Sequence, residues 1–176
     1  MRFVASCIGV AALLVGAAAG AGEEGALRVS SSAFANDGNI PTEYTCQGKS
    51  VPPPLTWSQP PAGTKSIAVL VEDPDAPGGS FQHLAAFNMP PERRSLPSEA
   101  VKSVAPGSAL STGRNSSGTV GFAPICPPSG RHHYRFEVLA LDTTLDLPAA
   151  ADANAIRAAT RGHVLARGEL VGVYGR

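Results

Sequence analysis

The sequence has no charge excess, and that is its first exclusion. Fourteen Lys and Arg stand against 14 Asp and Glu, and no block of one sign interrupts the chain. A nucleic-acid partner, which calls for a basic patch or stripe, is therefore not expected. Cysteine is nearly as scarce, with three in all. Two of them, Cys46 and Cys126, stand alone and far apart, which leaves a structural zinc site without its four closely spaced ligands. The motifs Gly-x-Ser-x-Gly, His-Glu-x-x-His and Ser-x-x-Lys are all missing, so no common hydrolase nucleophile or metalloprotease site is laid out. Gly118 and Gly121 do not open a helix, which removes a dinucleotide or P-loop reading. No catalytic residue, cofactor or metal is expected. Long apolar runs are absent too, except at the very start.

That start, MRFVASCIGVAALLVGAAAGAG, runs from one Arg through an apolar stretch to small residues. This is the order of a secretory signal peptide. The reading predicts a signal over 1–21, a single domain over 22–176 and an exported protein, periplasmic or secreted. Removing Arg2 with the signal tips the net charge slightly negative. Cys7 leaves with it too, so Cys46 and Cys126 remain as an even pair in a compartment that permits disulfides, and a bridge between them is predicted.

Elsewhere prolines and glycines fall between short apolar runs, the punctuation of a mainly β domain. Residues 66–71 (SIAVLV) and 84–89 (LAAFNM) suit buried strands. Residues 132–141 (HHYRFEVLAL) alternate, with His132, Tyr134, Phe136, Val138 and Ala140 on one face. Asp152 is placed to cap a helix over 153–166, because Ile156, Ala159, Thr160, His163 and Val164 follow helical spacing. A last short strand is expected in ELVGVYGR, and a long connection over 90–119.

Two stretches are chemically unusual. The first, EDPDAPGGSFQH over 72–83, fails as an EF-hand, because Leu84 stands where the twelfth-position acid belongs. It also reads as a plain turn, since Asp accepts local backbone hydrogen bonds and Pro presets φ. The second, CPPSGRHHYRF over 126–136, runs a rigid Pro-Pro turn into a histidine-bearing strand. A bridged Cys126 has no free thiol to act with His132 as nucleophile and base.

DPDAP over 73–77, His83 after it, PPSG with His132 and Tyr134, the ALD of 140–142 and GHVLA…ELVGVYGR together resemble the phosphatidylethanolamine-binding protein family, closest to its bacterial Raf-kinase-inhibitor-like branch. The resemblance runs from about Leu27 to the C-terminus. It implies a mainly β fold, a large antiparallel or mixed sheet packed on a smaller one, with a C-terminal helix. It also implies a small pocket for phosphate-like anions, with Asp73, Asp75, Pro77, His83, His132 and Tyr134 on its motifs. The chain departs from the pattern at Leu84, where the family usually has Trp or Phe, and at Pro124 and Ile125, where Gly-Pro is usual. Two imidazoles and a phenol can donate to phosphate oxygens. Asp73 would repel a phosphate unless it holds a histidine N–H or a ligand amine.

The reading is an exported binding protein for a phosphorylated small molecule or phospholipid headgroup, with regulation of a protein partner as an added role. The alternatives are a secreted inhibitor module, with Arg93, Arg94 and Arg114 in the long connection, and a hydrolase using His83 and His132 as acid and base.

Overall fold

The computed structural model describes residues 24–96, 98 and 111–176. The expected signal over 1–21, Cys7 and residues 99–110 of the long connection lie outside the described residues. Four long strands carry the larger sheet: β5 (Ser66–Asp73), β6 (Phe81–Met89), β9 (Arg131–Leu141) and β10 (Val164–Gly175). Shorter ones are β1 (Gly25–Ala26), β2 (Val29–Ser30), β3 (Gly38–Asn39), β4 (Leu55–Trp57), β7 (Ser95–Leu96) and β8 (Ser111–Thr112). The larger sheet has the order β1-β10-β9-β5-β6-β8, with β3 also on β10, and the smaller one the order β2-β4-β7. Strands β1 and β3 run parallel to β10 and the other pairs are antiparallel, so the large sheet is mixed.

Why 66–71 and 84–89 read as unbroken apolar runs is visible in the layers. Ile67, Val69, Val71, Leu84 and Ala86 share a core with Leu55, Trp57 and Leu96 of the small sheet. The alternate residues Ala68, Leu70, Ala85 and Phe87 pack instead with Leu145 and Ile156. A strand covered on both faces has no polar side to show. Strand β9 is mixed in this respect. His132, Tyr134, Phe136, Val138 and Ala140 all point to the inner core, while His133 and Arg135 are exposed and Leu139 and Leu141 are covered again.

The helix is shorter than its spacing predicts. Helix α1 spans Ala153–Ala159, capped by the Asp152 carboxylate on the Ala155 N–H at 2.8 Å. Gly162 has φ +78, a left-handed turn that ends the helical run. Val164 then starts β10 opposite Leu141, so His163 and Val164, assigned to the helix by spacing, belong to a turn and a strand. The last strand is correspondingly longer than ELVGVYGR. Part of the expected long connection is also ordered, as β7 and β8.

Strand β6 carries two irregularities, the first of which bears on the site. Between Val71 and Glu72 of β5, the partner strand advances from Leu84 to Gln82. His83 is thus the extra residue of a bulge, a device that re-aims a side chain and bends its strand. A second register shift surrounds Asn88, whose φ is +58. Its amide donates to the Leu145 carbonyl at 2.9 Å and accepts the Leu145 N–H at 2.8 Å, which fixes a conformation that Asn tolerates better than most residues.

Candidate functional site

The site grows from the ends of β5 and β6 and the start of β9. The inner face of β9 brings His132 beside Asp73, and the two form a buried pair, the ring Nδ1 donating to the carboxylate at 2.7 Å. The other Asp73 oxygen accepts the Asp75 N–H at 2.9 Å, the local Asx bond that an Asp-Pro-Asp turn favours. Asp73 therefore shapes its own turn and holds a histidine at once. Asp75 turns the other way. Its carboxylate accepts the His133 backbone N–H at 2.8 Å and the His133 ring Nδ1–H at 2.7 Å on the exposed side, and these bonds hold its pKa below the ordinary carboxylate value.

His83, at its bulge, donates from Nδ1 to the Ala123 carbonyl at 2.9 Å. A carbonyl can only accept, so the tautomer is fixed and Nε2 is left over. Aromatic rings crowd the imidazole: Phe81 at 4.8 Å, Phe122 at 6.3 Å and Tyr134 edge-on at 5.4 Å between centroids. Burial is the main cause that lowers the His83 pKa, and the His132 charge lowers it further, against the Ala123 hydrogen bond and the Asp73 charge. The Tyr134 hydroxyl is buried without a hydrogen-bond partner among the described residues. Its pKa is raised, first by burial and then by the Asp73 charge.

A cavity of about 690 Å³ opens against these residues, lined by Asp73, Pro77, Phe81 and His83, by Ser116 and Ser117, and by Cys46, Cys126, Pro124 and Pro128. Of the residues singled out in the sequence, Asp73, Pro77 and His83 form its wall. His132 and Tyr134 stand behind that wall, against Asp73 and His83, and Asp75 faces outward. Sequence reasoning missed Phe81, which has no motif of its own, and Ser116 and Ser117, which arrive from the aperiodic connection. It also missed that the disulfide would border the cavity. Cys46 and Cys126 are bridged, with Cα atoms 5.4 Å apart. Ile125 is fully buried and pairs with Thr45, while Pro124 is exposed on the cavity wall.

This arrangement of two sheets and a helix has known counterparts. The family model described as phosphatidylethanolamine-binding protein matches residues 30–175. The chain belongs to that family. A UPF0098 protein of Methanothermobacter thermautotrophicus is 39% identical over 150 residues, covering 85% of this chain and 99% of its own. The crystal structure of Escherichia coli YbcL, described as a member of the mammalian PEBP family, superposes with a TM-score of 0.78 at 32% identity, covering 85% of this chain and 98% of that one. A Mycobacterium tuberculosis protein carrying the lipoprotein name LppC is 37% identical over 157 residues, covering 84% of this chain and 72% of its own. The phosphatidylethanolamine-binding fold thus accounts for the mixed sheet, the smaller sheet and the helix. Among the described residues no helix is long and apolar enough to cross a membrane.

Proposed function

We propose that this phosphatidylethanolamine-binding protein relative is an exported binding protein whose cavity takes phosphate or phospholipid-headgroup-like anions. The observation that carries the reading is His83: a cavity-wall imidazole with Nδ1 committed to Ala123 and Nε2 left for a ligand. Among the described lining residues there is no Lys or Arg. Positive charge must then come from a protonated histidine or from an amine on the ligand. The Asp73 carboxylate, already bonded to His132, suits a ligand that brings its own cation. The apolar run of 1–21, the disulfide and the lipoprotein name of one relative support export.

Calorimetric titration with phosphoethanolamine tests the reading. Binding should weaken by about 1.5–3 kcal/mol in His83→Ala, which removes a charge-assisted hydrogen bond, and also in His132→Ala, which acts through Asp73. His163→Ala is the control, since His163 lies in the turn after α1 and bonds Asp142 at 2.8 Å. Unchanged affinity in both site variants, or equal loss in the control, would reject the site. Because an anion favours protonated His83, and the free group's pKa is lowered, affinity should rise as pH falls below about 6.5. The rise should flatten once a phosphate monoester itself takes a proton near pH ~6.

Both described cysteines are bridged, so neither supplies a thiolate nucleophile. Phosphomonoester, ester and peptide substrates are expected to remain intact. Turnover abolished by His132→Ala would replace the binding reading with a hydrolase.

A further inference from the structure

We infer that the Cys46–Cys126 disulfide is a redox latch on the cavity: a dithiol that reduces it frees the wall formed by residues 123–128 and loosens the ligand site. The inference rests on the cavity being the ligand site. Three observations converge on it.

The bridge borders the cavity and is half-buried, so it lies outside the packed core. A thiolate can approach it from the side where a ligand would sit. The wall itself is poor in backbone donors. Pro124, Pro127 and Pro128 have no backbone N–H to donate. Among the described residues its other ties are the Ala123–His83 bonds, the Cys46 N–H on the Ile125 carbonyl at 3.0 Å, the Arg176 Nε–H on the Pro127 carbonyl at 2.6 Å and the burial of Ile125 in the inner core. Ile125 anchors the middle of the wall, and the covalent link is the restraint next to it that a reductant can remove. Finally, the wall touches the chemistry directly, because the Ala123 carbonyl holds the His83 tautomer and the Ala123 N–H bonds the His83 carbonyl at 2.8 Å. What moves residues 123–128 moves the hydrogen-bond partner of His83. The pairing of β5, β6, β9 and β10 does not pass through the bridge, so the sheet has its own support when the latch opens.

The chemistry is ordinary thiol–disulfide exchange. A dithiol's thiolate attacks one sulfur, the Cys46–Cys126 bond breaks, and the other cysteine leaves as a thiolate that takes a proton. The dithiol's second thiolate then displaces the mixed disulfide, so that two electrons and two protons pass to the protein and the reductant becomes a cyclic disulfide. A ligand that prefers the latched wall must, by linkage, make the bridge harder to reduce.

The test compares the oxidised protein with the same protein reduced by dithiothreitol. Circular dichroism reports the sheet, proton NMR the His83 titration, and calorimetry the binding of phosphoethanolamine. The titratable groups facing His83 are Asp73 of β5 and His132 and Tyr134 of β9. Burial is the largest cause of its lowered pKa, so an opened wall should move the midpoint up toward 6.5. Reduction is expected to leave the sheet intact, raise that midpoint and cut phosphoethanolamine affinity at least tenfold. Saturating phosphoethanolamine should lower the bridge's reduction potential by about 30 mV for each tenfold preference. An unchanged His83 titration in the reduced protein would reduce the bridge to a staple, and loss of the sheet on reduction would equally overturn the latch. If the oxidised protein fails to bind phosphoethanolamine, the proposed function falls, and the His83 titration alone decides the latch. A Cys46→Ser, Cys126→Ser double variant repeats the open state without reductant and must show the same His83 shift.

Discussion

His83 couples the site to acid stability. Folding holds its pKa below the ordinary value, so the unfolded chain binds a proton near pH 6.5 that the folded state still refuses. The stability due to neutral His83 is complete above that pH and declines as pH falls through the window beneath it. Urea unfolding at pH 7.5 and 5.5 should show a smaller pH dependence in His83→Gln than in the unaltered protein, and equal dependence would refute this. Tyr134 makes a separate case. Its hydroxyl is buried with no partner among the described residues, a condition that costs about 1–3 kcal/mol. Tyr134→Phe should therefore raise the thermal midpoint of the unliganded protein, and a lowered midpoint would reveal a partner for that hydroxyl. Residue identity made His83 and His132 legible as chemistry. What it hid was aim: His83 lines the cavity because of a one-residue register shift, and no local pattern marks such a shift.

Among the elements, β10 depends on the absence of side chains as much as on their presence. A methyl group on Gly168 would overlap the Leu27 carbonyl, and one on Gly172 would press on Phe34 and Ile40. The first clash is with backbone, which cannot rotate away. Gly168→Ala should accordingly cost more than Gly162→Ser, where the chain turns in open space, although Ser at 162 is strained by the left-handed φ that Gly adopts freely. Chemical denaturation of the two variants checks the order, and a reversed order would mean that the N-terminal segment yields easily. The continuous apolar runs and the alternation of β9 made the strands readable in advance. The end of α1 was not readable, because Thr160, His163 and Val164 satisfy helical spacing whether or not the helix continues. Pairing of Val164 with Leu141, a tertiary event, decided it.

At the scale of the whole molecule, the N-terminal edge of the large sheet depends on its last described strand. Strand β10 joins β9, β1 and β3, so the first and last parts of the chain meet on the same twelve residues. Deleting residues 164–176 is expected to abolish cooperative unfolding, and a truncated chain with a sharp thermal transition would disprove that dependence. Synthesis proceeds from the N-terminus, and β1 and β3 have no strand to lie against until β10 emerges. Pairings this distant in sequence form slowly. The edge pairings of β1 and β3 are thus deferred until residues 164–175 have been made, so the sheet forms around β5, β6 and β9 before its N-terminal edge is laid down.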